Sequence, residues 1–289
     1  AGRYHETLAY VSTHAKDKIP AWQQPYLDGA ADQAERLGYK LDFFWAEEPG
    51  LSNRRLNDIL YRRGIRGLLV APLGFGKSEL QLNWSQFSSV ALGYTLARPR
   101  LHRVSNHHFN TVMLAVKKLV ERGYRRPALA IEPINNQSVN YLWKAGYITA
   151  HEIFKIEGAP LVYVAPFDAK DFHRWFKKNK PDALVANGVG YYNALHDHGL
   201  DAPDDFGMVS LTVKEDAPKL LTRVDQNHAK QGAAAVGLLA SQLLHNEIGI
   251  PSVPQMVMLE SAWVEGKTLV PEGARKPVDL EALSNLPII

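Results

Sequence analysis

The sequence predicts an α/β protein of two lobes, each built on a parallel sheet. Three observations predict it. Short β-rich runs alternate with helical runs along most of the chain, the alternation restarts near Ser105, and 289 residues are enough for two hydrophobic cores.

The first series opens with LAYVST at 8–13, a compact β-rich run. Residues 23–37 then place Tyr26, Leu27, Ala30, Ala34 and Leu37 at helical spacing and stop at Gly38, a residue suited to the left-handed turn that ends a helix. KLDFFWA is a second strand, and SNRRLNDILYRRG a second helix, with Ser52 as its N-cap and Gly64 as its close. GLLVAPL is apolar throughout, as a strand buried on both faces is, and SSVALGY is a fourth strand before the loop TLARPRLHR. The second series runs from a helix at 109–122, closed by Gly123, through strand PALAI and a helix around 141–154. It continues with strand LVYVA, helix AKDFHRWFKKN, strand DALVAN, helix VGYYNALHDHG and strand FGMVSL. Strands separated by single helices and short links pair in parallel, with helices on both faces of the sheet.

Composition excludes several classes. With 46% hydrophobic, 22% charged and 10% aromatic residues the chain is neither disordered nor collagen-like. It contains no run of about 18 apolar residues, so no membrane partner is expected. The first residues lack the charged and apolar regions of a signal peptide, and a start at Ala1 is expected to follow removal of a leader, a tag or a whole domain. The absence of Cys excludes disulfides and thiolate metal sites. Thirty-three Lys and Arg against 30 Asp and Glu are interspersed and give a net charge of only +3, so no basic stripe marks these residues as the main contact of a nucleic acid.

Motifs that suggest chemistry fail on spacing. GFGKS at 74–78 lacks the earlier glycine of a phosphate loop, because Ala71 stands at that position. His107 and His108, and likewise His196 and His198, are too close in sequence to face one metal from a helix; the second pair suits the last turn before Gly199, where positive charge is favoured. No nucleophile elbow, zinc helix or pair of acids is present, so neither catalysis nor a cofactor is expected. The sequons at Asn83 and Asn136 are of a kind frequent by chance.

A family resemblance adds to this reading. Residues 60–65 followed by Gly67-Leu68-Leu69-Val70 are similar to a strand of LacI/GalR transcription regulators, and Val104-Ser105-Asn106 with 118–126 resembles their next conserved stretch. Trp143-Lys144-Ala145-Gly146-Tyr147, 182–187, 207–211 and 221–226 with Gly232 resemble later stretches in the same order. The resemblance covers nearly all of 7–270. It implies a periplasmic-binding-protein-like fold of type I, with two Rossmann-like lobes joined by three crossovers: 1–105 plus 228–258, 106–227 plus 259–275, and a terminal tail at 276–289. It implies a cytoplasmic homodimer that binds operator DNA through an amino-terminal helix-turn-helix, which this chain does not contain, and that senses a small-molecule effector, sugar-like in character.

Ligands of parallel α/β lobes sit beyond the carboxyl ends of the strands. The matching positions are Trp22, Gln23, Phe75, Tyr94, Gln137, Trp143, Phe167, Asn187 and Thr212, with Gln226 and His228 at a crossover. Aromatic faces with amides and hydroxyls suit a neutral polyhydroxylated ligand held between the lobes. Where sugar-sensing members of the family clasp hydroxyls with an Arg and an Asp, this chain has Trp143 and Thr212, and Gly93 replaces a further acid. The alternative on the same fold is a solute-binding protein of an ABC transporter; a doubly wound enzyme is disfavoured because no GxGxxG follows the first strand.

Overall fold

The computed structural model describes residues 6–212 and 221–276. Of the tail expected at 276–289, residues 277–289 lie outside them. The chain divides into two compact units, Ala1–Asn106 with Asn227–Leu259, and His107–Gln226 with Glu260–Ile289, so it passes between them after Asn106, Gln226 and Leu259.

In the first unit, β1 (Glu6–Ser12), α1 (Gln24–Arg36), β2 (Tyr39–Trp45), α2 (Asn53–Arg62), β3 (Gly67–Val70), β4 (Ser88–Leu92) and β5 (His102–Asn106) follow in order. The second unit holds α3 (His108–Glu121), β6 (Pro127–Ile131), α4 (Pro133–Ser138), α5 (Leu142–Ile153), β7 (Leu161–Val164), α6 (Ala169–Asn179), β8 (Ala183–Ala186), α7 (Gly190–His196), β9 (Gly207–Ser210) and β10 (Thr222–Asp225). The chain returns to the first unit as α8 (His228–Leu244) and β11 (Met256–Leu259), then to the second as β12 (Ala262–Val264).

Two six-stranded sheets result, ordered β11-β5-β4-β3-β1-β2 and β12-β10-β9-β8-β6-β7. All pairs are parallel except β10 with β12. Among the described strands β12 is thus the one antiparallel addition to the expected parallel sheets. Asp225, the last residue of β10, pairs with Ala262, the first of β12, so the chain re-enters the sheet at the end where it left and must run back.

Alternation along the strands sorts the cores. Leu8 and Tyr10 of β1 face α1 and α8, where Tyr26, Ala30, Val236 and Leu239 are buried. Ala9 and Val11 face the other way, onto Leu56 and Leu60 of α2. In the second unit Leu129 and Val185 face α3 and α5, while Ala128 and Leu184 face α6 and α7. The side chain of Ser52 accepts the Arg55 N–H at 3.2 Å, as its N-cap role requires, and Gly64 adopts φ +68° just after α2.

Two elements depart from the sequence reading. The loop assigned to TLARPRLHR runs into β5, whose Arg103 looks wrong for a strand between two neighbours. Its guanidinium is satisfied internally, donating to the Gly93 and Leu96 carbonyls at 2.7 and 2.8 Å. The residues after GFGKS, which a phosphate loop would continue as a helix, form no α-helix; that stretch carries an isolated bridge from Glu79 to Arg98 and a 3-10 turn at Trp84–Gln86.

The contact of α1 with α8 is a backbone-to-backbone approach. A Cβ on Gly29 would lie 1.9 Å from the Ala229 carbonyl oxygen, and one on Gly232 would lie 2.1 Å from that of Tyr26. Gly29→Ala is therefore expected to force the helices apart and to lower unfolding free energy by about 1–3 kcal/mol or more. Urea denaturation followed by circular dichroism checks this, and an unchanged midpoint would contradict the contact.

Candidate functional site

Each sheet collects its loops at the carboxyl ends of its strands, and each unit offers a cluster of polar groups there. In the first unit the clustering starts with β1. Thr13 Oγ1 accepts the Gly74 N–H at 3.0 Å, and Thr95 Oγ1, after β4, accepts the Leu73 N–H at 2.7 Å. Gln23 Nε2 donates to the Pro72 carbonyl at 3.2 Å. Two loops, the one after β1 through Thr13 and Gln23 and the one after β4 through Thr95, thus hold the backbone at 72–74. Phe75 follows with its ring 65% exposed, and Gly76 turns the chain with φ +80°.

Gln23 is buried, and its Oε1 has no partner among the described residues. Trp22 is half-buried, and the His228 ring packs against it and Tyr26, with centroids 6.1 Å from Trp22 and 4.6 Å, stacked, from Tyr26, which itself meets Trp22 edge-on at 6.4 Å. Tyr94 is half-buried beneath the Arg103 guanidinium, 5.5 Å from its ring, and its hydroxyl donates to Met256 Sδ at 3.2 Å. Burial raises the Tyr94 pKa, opposed by Arg103, so the phenol stays protonated. His14 has its pKa lowered, first by desolvation against the raising effect of Glu47, so its ring is neutral at pH 7.

In the second unit the ends of β8, β9 and β10 are laced together. Thr212 Oγ1 donates to Asn187 Oδ1 at 2.8 Å, Ser210 Oγ donates to the Thr212 carbonyl at 2.7 Å, and Gln226 Nε2 donates to the Leu211 carbonyl at 2.6 Å. The Asn187 N–H donates to the Ala130 carbonyl of β6 at 3.2 Å. This fixes an amide and a hydroxyl beside one another without any charge. Phe167 is 39% exposed and lies edge-on to Tyr191 at 5.1 Å. Tyr191 is buried with its hydroxyl unpartnered among the described residues, and burial with the nearby Glu132 holds its pKa well above the usual phenol range.

The structure brings Asn187, Thr212 and Gln226 together, and separately gathers Trp22 and His228, with Gln23 bracing the loop beside Phe75. Gln137 lies on α4, exposed. Trp143, matched to the strand ends as a ligand-binding position, packs inward. It lies in the first turn of α5, is 3% exposed, and joins the core of Val112, Val139 and Leu211, edge-on to His108 at 5.7 Å. Sequence reasoning missed Thr13, Thr95 and Tyr191. For the two threonines the signal was available, a hydroxyl in the first residues after a strand. It also missed Tyr141, 57% exposed and held at φ +62°, a conformation rare for an aromatic residue; nothing in the order of residues announces that.

Among the described residues no group of three His, Cys, Asp or Glu could hold a metal ion, and no helix is long and apolar enough to cross a membrane.

Residues 116–269 match the model of a family described as "Periplasmic binding protein-like domain". No curated protein matches the sequence. Among solved structures the chain is similar to a transcriptional regulator CelR–cellobiose complex, with TM-score 0.68 and 19% identity over 91% of this chain and 84% of that one. A LacI transcriptional regulator from a Rhodococcus species gives TM-score 0.70 and 17% identity over 92% and 99%. A LacI family regulator from Enterococcus faecium with bound ribose gives TM-score 0.66 and 16% identity over 92% and 99%.

The burial pattern separates packing from surface roles. Trp143→Ala is expected to cost about 3–5 kcal/mol of stability in urea unfolding, as removal of a core aromatic does. Phe75→Ala, at an exposed loop tip, is expected to stay within about 0.5 kcal/mol of the parent. Equal effects at the two sites would contradict this separation.

Proposed function

The chain belongs to the periplasmic binding protein-like domain family, and from that premise we propose that it is the effector-sensing core of a LacI/GalR-type transcription regulator. In this reading it works in the cytoplasm, performs no covalent chemistry, acts as a homodimer, and controls operator DNA through an amino-terminal helix-turn-helix.

The observation that carries the reading is the uncharged set of polar groups at the carboxyl edges of both sheets. Asn187, Thr212 and Gln226 in one unit, and Gln23 with Thr13 in the other, offer amides and hydroxyls. Trp22 and Phe75 in one unit and Phe167 in the other offer ring surface. A neutral polyol meets such a surface with its hydrogen-bonding edges and its apolar faces. The burial of Trp143 supports the neutral character of the ligand: where the resemblance places an Arg to clasp hydroxyls, this chain packs an indole into its core. Similarity to regulators in complex with cellobiose and with ribose supports the same ligand class.

Mechanistically, an effector favours whichever arrangement of the chain binds it more tightly. Its differential affinity shifts the population of arrangements, and with it the spacing of the DNA-binding segments of the dimer.

A thermal-shift screen with cellobiose, ribose, glucose and gluconate tests the reading. A neutral sugar at about 100 times its Kd is expected to add about 2.7 kcal/mol of stability. Asn187→Ala is expected to weaken binding at least tenfold, about 1.4 kcal/mol, without lowering the melting temperature of the free protein by a like amount. The reading fails if gluconate stabilises and no neutral sugar does, or if the protein converts any of these compounds.

A further inference from the structure

One stretch of the first unit is rich in arginine. Residues 52–66, SNRRLNDILYRRGIR, hold Arg54, Arg55, Arg62, Arg63 and Arg66 against one acid, Asp58. Leu56, Leu60 and Ile65 of this stretch are buried in the core of the first unit, whereas all five arginines and Asp58 are exposed, with Tyr61 63% exposed among them. Helical spacing aligns Arg54 with Asp58, Tyr61 and Arg62, and places Arg55 beside that line.

Two of the arginines have partners within the chain. Arg63 pairs with Asp42 at 2.8 Å and lies over the Phe44 ring, and Arg66 donates to Asn246 and stands 4.0 Å from Glu6. Among the described residues Arg54, Arg55 and Arg62 form no ion pair.

The position of Arg54 and Arg55 works against the helix that carries them. They occupy the first turn of α2, which contains no acid, and cations there face the positive end of the helix dipole. The basic helix α6 of the second unit shows the opposite arrangement. Asp168 caps it, Asp171 stands in its first turn and pairs with Arg174 at 3.1 Å, and Lys177 and Lys178 lie in its last turn. Helix electrostatics accounts for the charges of α6, and for Arg62 in the last turn of α2, but not for Arg54 and Arg55. An external anion at that face would offset these two.

We propose that the outer face of α2, through Arg54, Arg55 and Arg62 with Tyr61 between them, contacts the phosphate backbone of double-stranded DNA. The identity of the polyanion rests on the regulator reading above; the surface itself does not. Guanidinium groups bind phosphate oxygens through paired, charge-assisted hydrogen bonds. A helix of this length spans about 15 Å, along which one strand of a duplex presents roughly four phosphates. The basic stretch also reaches the end of the unit at which the chain enters, because Arg66 stands beside Glu6, the first residue of β1. DNA held by a segment preceding β1 would be presented at that end.

Fluorescence anisotropy of this chain with a non-operator duplex of about 20 base pairs, between about 20 and 200 mM salt, tests the proposal. The association constant is expected to fall linearly with salt on logarithmic axes. Arg54→Gln/Arg55→Gln/Arg62→Gln is expected to flatten that slope by about 2.7, or 0.9 for each phosphate that is no longer neutralised. Lys170→Gln/Lys177→Gln/Lys178→Gln removes the same charge from α6 and is expected to leave the slope unchanged, with circular dichroism confirming that both variants fold. The proposal is overturned by equal flattening in the two variants, by an unchanged slope in the α2 variant, or by no binding of the parent at the lowest salt. It is also overturned if the α2 variant loses binding to phosphatidylserine vesicles while its DNA binding stays intact. A chain that responds to sugars but shows no α2-dependent slope loses only this inference. One that shows the slope and ignores every sugar keeps the DNA surface and loses the effector reading.

Discussion

The close approach of α1 and α8 is the constraint on which the architecture depends. With no side chain at Gly29 or Gly232, the two helices meet backbone to backbone and fasten the segment Asn227–Leu259 into the first unit. The same segment supplies β11, which extends the sheet beside β5. The first unit is therefore completed only after the second has been almost wholly traversed. That is why the chain must pass between the units three times, and why Gln226 and His228 sit at either side of one passage rather than within one lobe.

Much of this was legible from residue order. The runs that became β1, β3, β6, β8 and β9 are short and apolar, and the helices between them carry apolar residues at helical spacing with glycines at their ends. What resisted was polarity used internally. Arg103 disguised β5 as a loop because its charge is satisfied by two carbonyls that adjoin it only after folding. Trp143 illustrates the converse, since its position beyond a strand suggested ring surface for a ligand, while its place on the inner face of the predicted helix puts the indole in the core. The concentration of arginine on α2 was hidden by a different averaging: whole-chain totals of 33 and 30 say nothing about which charges share a face.

The candidate site was legible in part. The rule that ligands gather beyond the carboxyl ends of parallel strands pointed to Asn187 and Thr212, and the hydrogen bond between them fixes both side chains. The rule could not anticipate the loop bracing by Thr13 and Thr95, because it depends on two strands becoming neighbours of a third. The polar edges are rigid where backbone and side chain interlock and open where Phe75 and Tyr141 project. Such a division suits recognition, with pre-set donors and acceptors and exposed rings free to close over a guest.

Hydrogen–deuterium exchange of the chain with and without a sugar that raises its melting temperature tests the central claim most directly, because it reports on each unit separately. The account predicts added protection at two places at once, around 72–76 in the first unit and around 187–189 in the second. Protection confined to one unit would contradict it.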